Sequence, residues 1–225
     1  MKKKRIMGKK RLQAVIWDMD GVLVDSEHLH FDSWRAVFKK HGLTFYDSSL
    51  TEIFGMTSSQ VVRRIGGGDL SDEEIPRLIE EKDRLFQGWI KEEAQFLPGA
   101  REWLETFSAG GLPQALASSS SPNSIDIILG VLGARHYFTV ILSGRDLPSK
   151  PDPHLFLLAA QRMRVQPEGC LVIEDAVVGV NAAKAAGMTC LAVATTNHAE
   201  SLRAADLVCA SLADVRKDDI LNLFA

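Results

Sequence analysis

Polar and apolar positions along the chain fall into two textures that change near Leu97. A short apolar run from Ala14 to Asp18 reads as a strand, and after it apolar residues recur at helical spacing. Leu29, Phe31, Trp34, Val37 and Phe38 mark a helix over His28–His41, and similar stripes predict helices over Ser58–Ile65 and Ser71–Ile90. The last opens on Ser-Asp-Glu-Glu, a capping-box-like start. Gly66-Gly67-Gly68 separates two of these helices. No strand precedes it and no Lys-Ser/Thr follows, so it predicts a flexible helix connection rather than a phosphate loop. Beyond Leu97-Pro98-Gly99, strand-length apolar runs alternate with helical stripes. The expected strands are Gln114–Ala117, Thr139–Leu142, Cys170–Ile173, Thr189–Val193 and Leu207–Ala210. The expected helices are Asn123–Leu132, Pro153–Met163, Ala176–Ala186 and Leu212–Phe224. That alternation predicts an α/β fold, a doubly wound parallel sheet with helices on both faces. The helical stretch after the first strand is then an inserted cap. The division is a basic tail (1–12), an α/β core (13–26 and 97–225) and an all-helical cap (27–96).

Bulk composition narrows the function classes without naming one. The 225 residues suffice for a substantial core, and 46% hydrophobic with 24% charged residues excludes global disorder. A net charge of -3 offers no electrostatic case for nucleic acid or an anionic membrane. No apolar stretch is long enough to span a bilayer. Cys170, Cys190 and Cys209 lack metal-ligand spacing and lie in apolar strand-like segments, which predicts buried thiols and a cytoplasmic protein. The basic N-terminus has no hydrophobic signal core behind it and reads as a solvated tail. No interface shows in the sequence, so a monomer is expected.

Chemistry concentrates where the expected strands end. The first strand runs into Asp18-Met19-Asp20-Gly21, placing two carboxylates at the end of a parallel strand that is the usual ligand side of such sheets. Two acids this close are costly unless a cation lies between them or one is protonated. Alone, Asp-x-Asp-Gly is as well read as an acidic turn. Ser118-Ser119-Ser120-Ser121 follows the second strand, Lys150 lies between Ser149 and Pro151 after the third, and Glu174-Asp175 follows the fourth. Each taken singly is an ordinary turn, surface lysine or helix cap. Together, a carboxylate pair, a hydroxyl, a lysine and a second acidic pair at the strand ends of one sheet match phosphoryl transfer.

Four segments in order carry a resemblance to a known family. Asp-Met-Asp-Gly-Val-Leu-Val-Asp-Ser-Glu, the serines after Ala-Leu-Ala, Lys-Pro-Asp-Pro and Val-Ile-Glu-Asp-Ala-Val-Val-Gly resemble the motifs of the haloacid-dehalogenase-like superfamily. The nearest group is its β-phosphoglucomutase-like phosphatases and mutases with a helical cap. The resemblance spans Gln13 to Leu223. It implies that Asp18 is the nucleophile forming an aspartyl-phosphate and that Asp20 is the acid/base. It implies Mg2+ held by the Asp18 carboxylate, the Asp20 backbone carbonyl and Asp175, with Glu174 in support. Ser118, Ser119, Lys150 and the amide of Met19 would bind the phosphoryl group, and the Lys150–Pro151 bond is expected cis. The family's dehalogenases work without Mg2+ and lack the second aspartate, so Asp20 and the Glu174-Asp175 pair argue against that chemistry.

In such proteins the cap selects the organic part of the substrate. His30-Phe31-x-x-Trp34 matches a β-phosphoglucomutase pattern in which the histidine couples cap closure to sugar binding. Phe31 and Trp34 equally suit a packed cap core, and His30 stands between the two readings. The specificity loop reads Phe54-Gly55-Met56-Thr57-Ser58-Ser59, with Ser58 where the mutases carry arginine. Ser121-Pro122 likewise replaces their Lys-Asn. A mutase must grip the phosphate it is not transferring, so this chain reads as a phosphatase of a small phosphorylated metabolite, with a sugar phosphate the expected substrate. Arg63 and Arg64 could replace the lost cations, which leaves a β-phosphoglucomutase as the alternative.

Overall fold

A computed structural model describes residues 11–44, 56–65 and 70–225. The expected tail up to residue 10, Phe54, Gly55 and the Gly66–Gly68 connection lie outside the described residues. The strands are β1 (Ala14–Trp17), β2 (Gln114–Ser118), β3 (Val140–Ser143), β4 (Cys170–Glu174), β5 (Thr189–Val193) and β6 (Leu207–Cys209). The described helices are α1 (Glu27–Lys40), α2 (Ser58–Ile65), α3 (Glu74–Glu93), α4 (Ala100–Ala109), α5 (Pro122–Leu132), α6 (His154–Met163), α7 (Val177–Ala185) and α8 (Lys217–Asn222). The strands form one sheet in the order β3-β2-β1-β4-β5-β6, every pairing parallel.

Alternation along these strands builds two cores. Val15, Trp17, Leu116, Leu171, Ile173, Leu191 and Val193 face one side, where Trp103, Leu104 and Phe107 of α4 and Ile125 and Ile128 of α5 cover them. Ala14, Ile16, Ala115, Ala117, Cys170, Val172, Cys190 and Ala192 face the other, against Leu155 and Phe156 of α6 and Val180 and Ala183 of α7. Covered on both faces, the strands read as unbroken apolar runs, as a parallel sheet requires. The second face is lined mainly by small residues, which lets its helices approach closely.

A third apolar cluster belongs to α1, α2 and α3, where Phe31, Trp34, Val37 and Phe38 meet Val61, Val62, Ile75, Leu78 and Ile79. The inner ends of α1 and α3 join the sheet's own core through Leu29, Phe86 and Ile90. The two chain crossings between this helical unit and the sheet lie side by side, with Val24 bridged antiparallel to Phe96. No described helix is long and apolar enough to cross a membrane.

Several boundaries differ from expectation for local reasons. Ser71 and Glu74 do form a reciprocal cap, the Ser71 amide donating to Glu74 Oε2 at 2.8 Å and the Glu74 amide to Ser71 Oγ at 3.3 Å. The helix proper then runs from Glu74 to Glu93. The expected closing helix is broken. Ser211 caps a 3-10 turn at Leu212–Asp214, and the chain restarts at Arg216, which pairs with Asp219 to open α8. Helix α4 was not anticipated, although Trp103, Leu104 and Phe107 carry its stripe; it begins directly after Gly99, whose φ is 85°. The strands β3 and β6 each end one residue away from the expected limit.

Close approach of α7 to β4 yields a test. A Cβ on Gly179 would stand 1.7 Å from Glu174 Oε1, whereas one on Gly130 in α5 would meet nothing within 4 Å. Glycine to alanine inside a helix normally adds about 0.5–1 kcal/mol, so Gly130→Ala should raise the melting temperature. Gly179→Ala should lower it instead, because overpacking costs about 1–3 kcal/mol and each kcal/mol is worth about 2–4 °C at this size. Calorimetry on the two variants should give shifts of opposite sign.

Candidate active site

The order of strands reverses between β1 and β4, and the polar residues predicted from sequence gather at the carboxyl ends there and of the adjacent β2. Asp18 leaves β1 with its amide bonded to the Ile173 carbonyl at 2.9 Å. The chain then turns through Gly21, whose φ is 76°. A Cβ at Gly21 would fall 2.1 Å from Asp175 Oδ2, so only glycine lets this turn pass beside the acid. The Met19 carbonyl anchors the turn by accepting the amides of Leu23 and Val24 at 2.9 and 3.2 Å.

Lys150 is the hub. It precedes a cis proline, is buried, and donates to Asp18 Oδ1 at 2.6 Å and to Glu174 Oε1 at 2.5 Å. The second Glu174 oxygen accepts the amides of Asp175 at 2.7 Å and Ala176 at 2.8 Å. Both oxygens of Glu174 are thus engaged within the protein. Asp175 accepts from the Thr196 hydroxyl, and its carbonyl accepts from Asn197 Nδ2 at 3.2 Å.

Three buried carboxylates therefore share one ammonium. Burial pushes Asp18 up to about 7 against the pull of Lys150, with the charges of Glu174 and Asp20 adding to the rise. Burial, Glu174 and Asp18 also push Asp175 well above the carboxylate range. Lys150 moves the other way: burial opposes its charge, but Asp18 and Glu174 outweigh that and keep it protonated. This donor set suits a hard divalent cation, whose charge would relieve the two raised acids. Among the described residues no three His, Cys, Asp or Glu side chains form a ready metal cage. Two carboxylates alone would leave most positions to water, which is how Mg2+ is ordinarily held.

Asp20 has a separate environment. Its Oδ1 accepts from Ser26 Oγ at 2.6 Å and faces His30 Nε2 at 3.0 Å, and its Oδ2 accepts from Ser120 Oγ at 2.7 Å. Burial would raise this acid, but His30 and the hydrogen bonds from His30, Ser26 and Ser120 hold it below the usual range. Lys82 Nζ lies 2.9 Å from His30 Nδ1. A lysine can only donate and an ionised Asp20 can only accept, so His30 accepts at Nδ1 and donates from Nε2. Burial and the Lys82 charge lower the histidine's pKa, consistent with that neutral form. Phe86 stacks on the ring at 4.1 Å.

These groups open onto one cavity. Asp18, Asp20, Ser118, Ser119, Ser120, Glu174 and Asp175 line its floor, and His30, Phe31, Trp34, Met56, Ser58, Val61, Lys82 and Asp83 line its roof. Phe31 and Trp34 both pack the helical unit and face the cavity. Thr57 is buried and reaches toward the lysine loop, its hydroxyl 3.5 Å from that of Ser149. Ser118 Oγ accepts the Ser120 amide at 3.0 Å, and Lys150 stands behind Asp18.

Sequence reasoning missed Lys82, Asp83, Ser120 and Thr196. Lys82 did carry a signal: it interrupts the stripe Ile75, Ile79, Phe86, Ile90, where a charge must find a buried partner. Burial brings this lysine down to about 8. Ser120 lies within the serine motif, but its bond to Asp20 was not foreseen, and Thr196 sits in a turn where nothing local marks it.

Residues 15–193 match the family model described as haloacid dehalogenase-like hydrolase. A phosphorylated carbohydrates phosphatase of Thermotoga maritima is 33% identical over 219 residues, covering 94% of this chain and 98% of that protein. A fructose-1-phosphate phosphatase of Escherichia coli is 32% identical over 182 residues, covering 79% of this chain and 94% of its own. The crystal structure of a β-phosphoglucomutase from Clostridium difficile superposes with a TM-score of 0.85 at 28% identity, covering 95% of this chain and 97% of that one. With four strand-end motifs meeting around one buried lysine, and a family match that spans most of the sheet, the chain belongs to the haloacid dehalogenase-like hydrolases.

Proposed function

We propose that the protein is a Mg2+-dependent phosphatase of a small sugar phosphate or similar metabolite, acting as a cytoplasmic monomer beneath a cap formed by residues 27–96. One observation carries the reading: Asp18 lines the cavity while a buried lysine holds one of its oxygens at 2.6 Å. A carboxylate so placed attacks phosphorus, the ester P–O bond breaks, and an aspartyl-phosphate forms as the alcohol leaves. Water then cleaves the acyl phosphate and regenerates Asp18.

Asp20 serves both half-reactions. Its hydrogen bonds favour the ionised form, which suits the base that takes a proton from the attacking water. The acid half needs a proton first, and a phosphate monoanion brings one to the site. Lys150, Ser118 and Ser119 bind the phosphoryl oxygens together with the Met19 amide. Mg2+, held by the carboxylates of Asp18 and Asp175 and the Asp20 carbonyl, would neutralise charge on the phosphoryl group. Glu174 supports that set by fixing Lys150 and the amides that follow it.

The cap side of the cavity favours a neutral polyol as the organic group. Phe31, Trp34 and Val61 offer an apolar wall, while Ser58 and Lys82 offer polar groups for hydroxyls. Among the described lining residues there is no arginine, and Arg63 is drawn off to a surface pair with Asp72 at 3.1 Å. The named activities of the Thermotoga and Escherichia relatives support the same substrate class. The likeness to a β-phosphoglucomutase structure favours the isomerase as a second reading. Conversion of β-glucose 1-phosphate to glucose 6-phosphate faster than phosphate release would establish it.

Asp18→Asn should abolish phosphate release while leaving the circular dichroism spectrum unchanged. Asp20→Asn should retain the nucleophile and lose roughly 10² to 10⁴ in rate on an alkyl phosphate. Activity should vanish in EDTA and return with Mg2+, with Ca2+ giving little, since its longer bonds and higher coordination number disturb the nucleophile. Ser58→Arg should tighten inhibition by glucose 1,6-bisphosphate by about tenfold or more, the return on a charge-assisted contact of about 1.5–3 kcal/mol. Equal inhibition constants for parent and variant would remove the argument from Ser58 against a mutase.

A further inference from the structure

The contacts between cap and sheet form a closed circuit that starts and ends at Asp20. From Asp20 the circuit passes to His30 at 3.0 Å and on to Lys82 at 2.9 Å, both on cap helices. Lys82 stands 3.8 Å from Asp83 Oδ1, and Asp83 Oδ2 accepts from Arg145 Nη1 at 2.9 Å. Arg145 belongs to the turn after β3, so here the circuit returns to the sheet. Its amide donates to Ser143 Oγ at 3.2 Å, and that hydroxyl donates to the Ser120 carbonyl at 2.7 Å. Ser120 in turn donates its own hydroxyl to Asp20. Every link is polar, and only two of them, His30 to Asp20 and Asp83 to Arg145, join cap to sheet.

We propose that Arg145 is a positioning residue for the proton-transfer group: by clasping Asp83 it seats helix α3 so that Lys82 and His30 hold Asp20. Asp18 is 7% exposed at the floor of a cavity whose roof is made by the cap helices, and a substrate enters as that roof lifts. Such a movement separates both cross-links together. Asp83, 13% exposed when docked, keeps Lys82 at 3.8 Å after the clasp opens, and Arg145, 38% exposed, releases readily into water, so the cross-link can open and re-form. Closing the cap then restores the Asp83 pair and the Asp20 pair in one event, and Asp20 is set for proton transfer only when the mouth is shut. Gln87 steadies the same docking, donating to Ser124 Oγ at 3.2 Å and accepting from Asn123 Nδ2 at 2.7 Å.

This inference rests on the phosphatase reading for its kinetic arm, and has a second arm that does not. Phenyl phosphate and 4-nitrophenyl phosphate have nearly the same shape, but only the first needs a proton on its leaving oxygen. For Arg145→Gln, kcat/KM on phenyl phosphate should fall about tenfold, part of the full general-acid contribution, with little change on the nitro ester, and Asp83→Asn should show the same selective loss on phenyl phosphate. Arg145→Lys should recover most of the loss, and the double variant should be no worse than either single one, as expected of residues that act as one pair. Hydrogen exchange should show faster amide exchange along residues 74–93 in Arg145→Gln than in the parent. Equal losses on both esters, additive losses in the double variant, or unchanged exchange would each overturn the clasp. If the unmodified protein released phosphate from neither aryl ester nor from sugar phosphates, the phosphatase reading would fall, and hydrogen exchange alone would decide whether Arg145 seats the helix.

Discussion

Everything at the carboxyl end of this sheet depends on one buried ammonium. Three acids are brought out of water within reach of Lys150, an arrangement that bare carboxylates could not sustain. Lys150 relieves two of them directly, through Asp18 and Glu174, and Glu174 passes on the constraint by taking the amides of Asp175 and Ala176. The backbone at the start of α7 is therefore fixed by the same charge that holds Asp18. Gly179 and Gly21 belong to that arrangement too, since each leaves the space its neighbouring carboxylate occupies.

Two acids separated by one residue have opposite environments. Asp18 faces other carboxylates and is pushed toward its neutral form, while Asp20 faces serine hydroxyls and an imidazole and is held charged. The difference arises from geometry: the strand end points Asp18 at β4, and the turn swings Asp20 toward β2 and α1. Two carboxylates can thus adjoin without competing for one proton, as the roles proposed for them require.

The sheet was legible in sequence because apolar runs covered on both faces have few other interpretations. The strand-end acids and Lys150 were legible for a related reason: charged residues directly after such runs have few reasons to be there. The failures were local. Helix α4 carries an evident stripe, but it is short and falls between two clearer features. The closing segment kept apolar spacing through a break that Ser211 and Arg216 impose by capping. Ser120 and Thr196 could not be singled out, because their importance lies in partners distant in sequence. Lys82 could have been, since its charge falls on an otherwise apolar stripe.

The apolar residues of the helical unit divide into two populations with different allegiances. Leu29, Phe86 and Ile90 are part of the sheet's core, whereas Phe31, Trp34, Val37, Phe38 and the residues they meet on α2 and α3 form a cluster of their own. Mutation can therefore remodel the outer cluster, and with it the cavity roof, without disturbing the layer that orients Asp18 and Lys150. The molecule is thus built in two separable parts: the cavity roof can be repacked, and its shape altered, while the strand-end charges below it keep their places.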